Sequence, residues 1–210
     1  TQVTDETTES EETKALFVSP IDFVELQRIN KDIYAWIDIP DTDISYPVLQ
    51  HPTEFEYYLR KGLDEEYSND GSLFTEPGNA HDMSDFNTII YGHNLRSLGM
   101  FGTLKYYRDL SYLNEHREIV VYTPYATFTY KVFAAVTYND RLITAIFDFN
   151  EEEGRLAFLD SLDDINDMNS YILDDVTIDV NEDRILTLST CNSDKSQRFL
   201  VLAVLVDVED

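Results

Sequence analysis

Ile185-Leu186-Thr187-Leu188-Ser189-Thr190-Cys191 is an apolar, β-branched run that ends in the only cysteine of the 210-residue chain, with Arg198 seven residues further on. A second run, Asn87-Thr88-Ile89-Ile90-Tyr91-Gly92-His93-Asn94, lies about a hundred residues upstream and ends in a histidine beside a glycine. Both segments have the length and residue types of buried strands bounded by polar turns. They predict a sheet that delivers Cys191, His93 and Arg198 from the ends of strands. A thiol beside an imidazole and a guanidinium is the set expected of an activated nucleophile, because nearby positive charge raises the thiolate fraction.

Further short strand-like runs are expected at Trp36–Ile39, Ile44–Leu49, Ser72–Phe74, Ile119–Tyr122, Thr127–Tyr138, Thr177–Val180 and Phe199–Val206. So many short strands suggest a barrel. Apolar residues at helical spacing (Phe23, Leu26, Ile29, Ile33, Trp36) predict an N-terminal helical arm over about residues 19–38, with Ser19 as its N-cap and Pro20 at its first position. Met100–Tyr107 reads as a short helix after the histidine. Leu156, Leu159, Leu162, Ile165 and Met168 predict a longer one over Glu151–Tyr171. Residues 1–18 form an acidic, Thr/Glu-rich tail too poor in apolar side chains to offset its ordering entropy. Residues 19–210 are left as one domain.

Composition narrows the function. The chain carries 41 acidic against 15 basic residues, a formal net charge of −26. Nucleic-acid binding, which needs Lys and Arg to displace counterions, is therefore excluded as an expectation. One cysteine cannot form an intramolecular disulfide, so the thiol count says nothing about redox compartment. No run approaches the roughly 20 apolar residues that span a bilayer. The acidic stretch Asp160–Asp167 is rich in oxygen ligands, but it lacks the glycine and closing glutamate of a helix-loop-helix calcium loop. It reads as a solvated helix face, with no metal expected.

At these residues a family likeness emerges. The sequence TLSTC with a downstream arginine, together with YGHN, resembles the sortases, cysteine transpeptidases of Gram-positive surfaces. YGHN followed by Met100-Phe101-Gly102-Thr103-Leu104 resembles class B, as do the segments Phe23 to Ile39 and Ile44 to Gln50. The resemblance implies a mainly β fold, a closed mixed β-barrel with an N-terminal helix and flanking helices. It implies Cys191 as nucleophile, His93 as general acid and base, and Arg198 as stabiliser of the oxyanion or holder of the substrate backbone. Leu59, Tyr91, Ser189 and Thr190 match substrate-binding positions. Phe55 stands where an asparagine would be expected, four residues before Leu59. The implied partners are a sorting-signal peptide of a surface protein or pilin, and an amine from a peptidoglycan cross-bridge precursor or a pilin lysine. No cofactor is implied. The implied location is the extracellular face of the plasma membrane of a Gram-positive bacterium, as an ectodomain separated from an N-terminal membrane anchor. Two other readings stand beside this one: a cysteine hydrolase that passes the acyl group to water, and a non-catalytic acidic surface module with Cys191 merely buried. The remaining histidines, His51, His81 and His116, sit in polar loop contexts and read as structural.

Overall fold

The computed structural model describes residues 17–163, 167–191 and 196–210, the side chains of Asp163 and Cys191 excepted. Among the described residues nine strands run in chain order: β1 Ile33–Asp38, β2 Ser45–Leu49, β3 Leu73–Thr75, β4 Asn87–Gly92, β5 Glu118–Tyr122, β6 Thr127–Asn139, β7 Tyr171–Ile172, β8 Ile185–Cys191 and β9 Gln197–Glu209. Their lateral order is β5-β1-β2-β3-β4-β8-β9-β6-β7, and a further pairing of β5 with β6 closes eight of them into a barrel. Closure pairs the strands that an open sheet would leave exposed along its edges. The barrel is mixed: β2–β3 and β4–β8 are parallel, and the other pairings are antiparallel. This is the mainly β, closed mixed barrel that the sequence predicts.

Alternation along the strands explains the apolar runs. In β8, Leu186 and Leu188 join Ile37, Val48, Ile90, Val121 and Val201 in the barrel interior. In β9, Phe199, Val201 and Ala203 point inward, while Leu200 and Leu202 belong to a second apolar layer outside the barrel. Helix α4 (Glu152–Asp163) covers that layer with Phe158 and Leu162, both buried. A strand that must be apolar on both faces loses its period-two signature, which is why Phe199–Val204 reads as an unbroken hydrophobic run.

The helices depart from expectation. Helix α1 spans only Phe23–Ile29, and its N-cap is Asp22, whose carboxylate accepts from the Glu25 amide at 3.0 Å, not Ser19. The predicted arm to residue 38 stops at Asn30. The Asn30 carboxamide accepts from the Asp32 amide (2.9 Å) and donates to the Tyr58 hydroxyl (3.0 Å) and the Leu63 carbonyl (3.1 Å). This local bonding competes with helix continuation and turns the chain into β1. Ile33 and Trp36, which continue the helical spacing, lie on that strand instead, where β-branched and aromatic residues fit well.

Met100 has a φ of 52°, so no helix starts there. The segment instead forms a 3-10 turn at Leu104–Arg108 and then α2 (Leu110–Glu115), capped by Asp109. Of the predicted Glu151–Tyr171 helix the described residues show α4, Glu152–Asp163, and Tyr171 lies in β7, paired with Ala135 of β6. Its buried stripe centres on Phe158, with Leu156 at 44% exposure and Met168, beyond the helix, at 94%. Ile165 lies outside the described residues. Thr177–Val180 forms no strand. The acidic stretch is not wholly solvated either: Asp167 accepts a hydrogen bond from the Thr137 hydroxyl of β6 and pairs with Arg108 at 3.4 Å.

Candidate active site

Strands β4, β8 and β9 are neighbours, and their register decides what meets at their ends. The parallel pair β4–β8 sets Gly92 against Thr190, so His93 follows β4 where Cys191 ends β8. The antiparallel pair β8–β9 sets Cys191 directly against Arg198. Three residues scattered over more than a hundred positions thus come to one rim of the barrel. The Cys191 side chain and residues 192–195 lie outside the described residues.

His93 is held from two sides. Its carbonyl accepts from the Phe101 amide at 3.0 Å, and its ring Nε2 lies 2.7 Å from the Leu59 carbonyl. A carbonyl can only accept, so Nε2 carries a proton and Nδ1 is left to gain or lose the second one. Leu59 belongs to a 3-10 turn at Tyr57–Arg60 that the sequence did not suggest.

Gly92 is needed for a reason other than the turn freedom that its place before His93 suggests. Its φ is not positive. A Cβ there would sit 2.4 Å from Leu73 Cδ2 and 2.7 Å from Phe101 Cδ2, far inside the roughly 3.5–4.0 Å separation of carbon atoms in contact. The absence of a side chain lets two core residues close over the strand end that presents the histidine.

A cavity of about 340 Å³ opens beside this rim. Leu59, Tyr91, Ser189 and Thr190, the expected substrate-binding positions, all line it, as do His93 and Arg198. Thr190 is buried, and its Oγ1 has no hydrogen-bond partner among the described residues. Phe55, in place of the expected asparagine, also lines the cavity. It packs edge-on against Tyr91 at 5.0 Å and Phe74 at 5.9 Å between ring centroids. The wall there is aromatic where a carboxamide would be polar. The Tyr91 hydroxyl donates to Glu76 Oε1 at 2.5 Å. Burial first, and the Glu76 charge second, push that hydroxyl far above the ordinary phenol range, while the Arg198 charge acts in the opposite sense. Tyr91 therefore stays a neutral donor.

Part of the lining comes from a segment that sequence reading missed. Leu142 and Ile143, at the start of α3 (Ile143–Ile146), face the cavity together with Arg141. A four-residue helix carries too little periodicity to be seen in advance. A larger opening of about 890 Å³, lined among others by Asp85, Phe86, Arg155 and Arg184, has no histidine among its described lining residues. The other histidines serve the scaffold: His81 stacks on Tyr34 and bonds Gln50 (2.7 Å), His51 accepts from the Glu54 amide, and His116 stacks on Tyr112.

Comparison with known proteins agrees with this arrangement. A family model for the sortase domain matches residues 37–206. The chain is 35% identical over 191 residues to sortase B of Staphylococcus aureus (strain NCTC 8325 / PS 47), covering 89% of this chain and 75% of that protein. Among solved structures, a Staphylococcus aureus sortase B–substrate complex superposes with a TM-score of 0.75 at 33% identity, covering 88% of this chain and 84% of that one. A sortase B complexed with triglycine superposes with a TM-score of 0.76 at 33% identity, covering 88% of this chain and 85% of that one. Such identity across most of the chain, on the same closed barrel and with positions 93 and 191 at neighbouring strand ends, leaves one conclusion: the chain belongs to the sortase family of cysteine transpeptidases and is most like its class B members.

Proposed function

We propose that this chain cleaves the C-terminal sorting signal of surface proteins through a thioacyl enzyme on Cys191 and passes the acyl group to an amine of the cell wall or of a pilin. The observation that carries the proposal is the register: Gly92 against Thr190 and Cys191 against Arg198 bring His93, Cys191 and Arg198 to one rim, next to a cavity with apolar walls.

In this mechanism the Cys191 thiolate attacks the carbonyl carbon of the scissile amide. The negative charge that develops on the oxygen is met by Arg198, whose planar fork of donors suits an oxyanion. The C–N bond then breaks. His93, protonated on both ring nitrogens, gives its Nδ1 proton to the departing amine while Nε2 keeps its bond to the Leu59 carbonyl. A thioester remains. The incoming amine loses its proton to His93 Nδ1 as it attacks the thioester, and the C–S bond breaks to return the thiolate. Every group used is supplied by the chain and the two substrates, so no organic cofactor is invoked.

Binding rests on the cavity lined by Leu59, Tyr91, Ser189 and Thr190. The solved sortase B structures with a substrate and with triglycine support a peptide and an amine as the two partners in general. The reading places the protein on the outer face of a Gram-positive plasma membrane; among the described residues no helix is long and apolar enough to cross a membrane.

Mass analysis of products formed from a sorting-signal peptide library, with and without an excess of a glycine peptide, tests the proposal. A new amide between the acyl fragment and the added amine is expected. Hydrolysed fragment alone, at every amine concentration, would make the protein a cysteine hydrolase.

A further inference from the structure

The Glu76 carboxylate lies beyond the end of β3 and plays no part in the chemistry above, yet both of its oxygens are engaged. Oε1 accepts from the Tyr91 hydroxyl at 2.5 Å and Oε2 from the Thr144 hydroxyl at 2.7 Å. Tyr91 is on β4, two residues before His93. Thr144 is in α3, whose first residue, Ile143, and N-cap, Leu142, line the same cavity as Tyr91. One carboxylate thus ties the less anchored side of the cleft, a short helix in a long connection, to the strand that carries the general acid.

The mount of that carboxylate is rigid. The Glu76 carbonyl accepts from Gln50 Nε2 at 2.8 Å, and the same amide nitrogen bonds Thr75 Oγ1 (3.1 Å) and the Asn79 carbonyl (2.8 Å). The Gln50 Oε1 is taken by His81 at 2.7 Å. Thr75 itself is paired with Ile90 in the sheet. By contrast α3 is four residues long, far below the length at which a helix holds itself together, so its position depends on what it packs and bonds to. Ile143 packs under the helix α4 layer, and Thr144 provides the polar tie.

We propose that Glu76 is a positioning residue for the sorting signal: through Thr144 it sets the distance between the Leu142–Ile143 wall and the Tyr91 wall, and so the width of the peptide cleft. The inference rests on the cavity being the sorting-signal site. The carboxylate partners of Glu76 are Tyr91 and Thr144, not the His93 imidazole, so its removal is expected to loosen substrate binding while leaving the reactivity of Cys191 in place. Hydrogen bonds to a charged acceptor are the stronger kind, and loss of such a tie corresponds to about a tenfold weakening of whatever depends on it.

The test uses Glu76→Ala, Thr144→Val and the double variant. Glu76→Ala is expected to raise KM for the sorting peptide about tenfold, with kcat changed far less and with alkylation of Cys191 by a small reagent unchanged. Thr144→Val is expected to reproduce most of the rise, and adding Glu76→Ala to it to do little more, since the two share one interaction. Hydrogen exchange gives a readout independent of activity. The amides of Ala145 and Phe147, bonded to the carbonyls of Leu142 and Ile143, should exchange faster in Glu76→Ala while those of β8 and β9 do not. A fall in kcat at unchanged KM, fully additive effects of the two substitutions, or unchanged exchange in α3 would each overturn the proposal. A wild-type protein that transfers no acyl group would overturn the function proposed above instead, and the exchange measurement would still decide whether Glu76 holds α3.

Discussion

Gly92→Ala should damage this protein in two separable ways. The added Cβ would stand 2.4 Å from Leu73 Cδ2 and 2.7 Å from Phe101 Cδ2. Restoring ordinary carbon contact at roughly 3.5–4.0 Å requires about an ångström of movement or more at each contact. Leu73 and Phe101 are fully buried in the barrel core, so neither can swing into solvent. Overpacking of this kind costs about 1–3 kcal/mol. The same displacement reaches His93, the next residue, whose ring must stay aligned with Cys191. Misplacement of a catalytic group by about an ångström costs on the order of 10²-fold in rate. Urea unfolding and the acylation rate, measured on the same preparation, give the two numbers. Leu73→Ala removes the closer of the two contacts, so the double variant should lose less stability than the sum of the single losses. A Gly92→Ala protein within about 0.5 kcal/mol of wild type and fully active would refute the steric account and return the argument to backbone freedom.

Phe158→Ala should cost about 3–5 kcal/mol, because a ring fully buried between α4 and the outer face of β9 leaves a cavity that the sheet cannot close; thermal or urea unfolding measures it, and a loss under about 1 kcal/mol, the level of an ordinary substitution, would mean α4 is not seated as described. Asp175 is held well below the usual carboxylate range, first by hydrogen bonds from Arg117 and then by Lys131. A depressed folded-state value contributes stability that is complete above the unfolded value near 3.9 and is lost as pH falls towards the folded one. The stability difference between wild type and Asp175→Asn, followed by urea unfolding, should therefore be constant at neutral pH and shrink below about pH 4; a difference that grows in acid would refute the assignment. Arg198→Lys should lose most of the acylation rate that Arg198→Ala loses, about 10²-fold or more if the fork meets the oxyanion. Single-turnover acylation decides it, and an alanine variant close to wild type would move the role to another cation such as Arg96 or Arg141, the second of which also lines the cavity.

The strands were legible because their signal is local. Residue types in Ile185–Cys191 and Asn87–Gly92 carry β propensity, and the residues that follow each run break it. Their neighbourhood was not local: nothing in either run says that β4 and β8 pair in parallel, and only the folded chain shows it. Where local rules competed, the sequence misled. Ile33 and Trp36 keep helical spacing beyond Ile29, but the side chain of Asn30 bonds the backbone just after it and the chain turns. Leu156 and Met168 fit a stripe that the helix does not bury, since Phe158 sets the face that α4 presents to β9. The expected substrate-binding positions all reached the cavity, whereas Leu142, Ile143 and Glu76 gave no signal. Their roles come from contacts between residues up to 68 positions apart in the chain.

The central claim is that Cys191 forms the covalent intermediate, and intact-protein mass spectrometry tests it most directly. Wild-type protein mixed with a cleavable sorting-signal peptide and quenched in acid should gain the mass of the acyl fragment. Digestion should place the adduct on Cys191, and added glycine peptide should discharge it as a new amide. Cys191→Ala should stay folded, gain no mass and form no product. Product formation by that variant, or an adduct on any residue other than Cys191, would contradict the account.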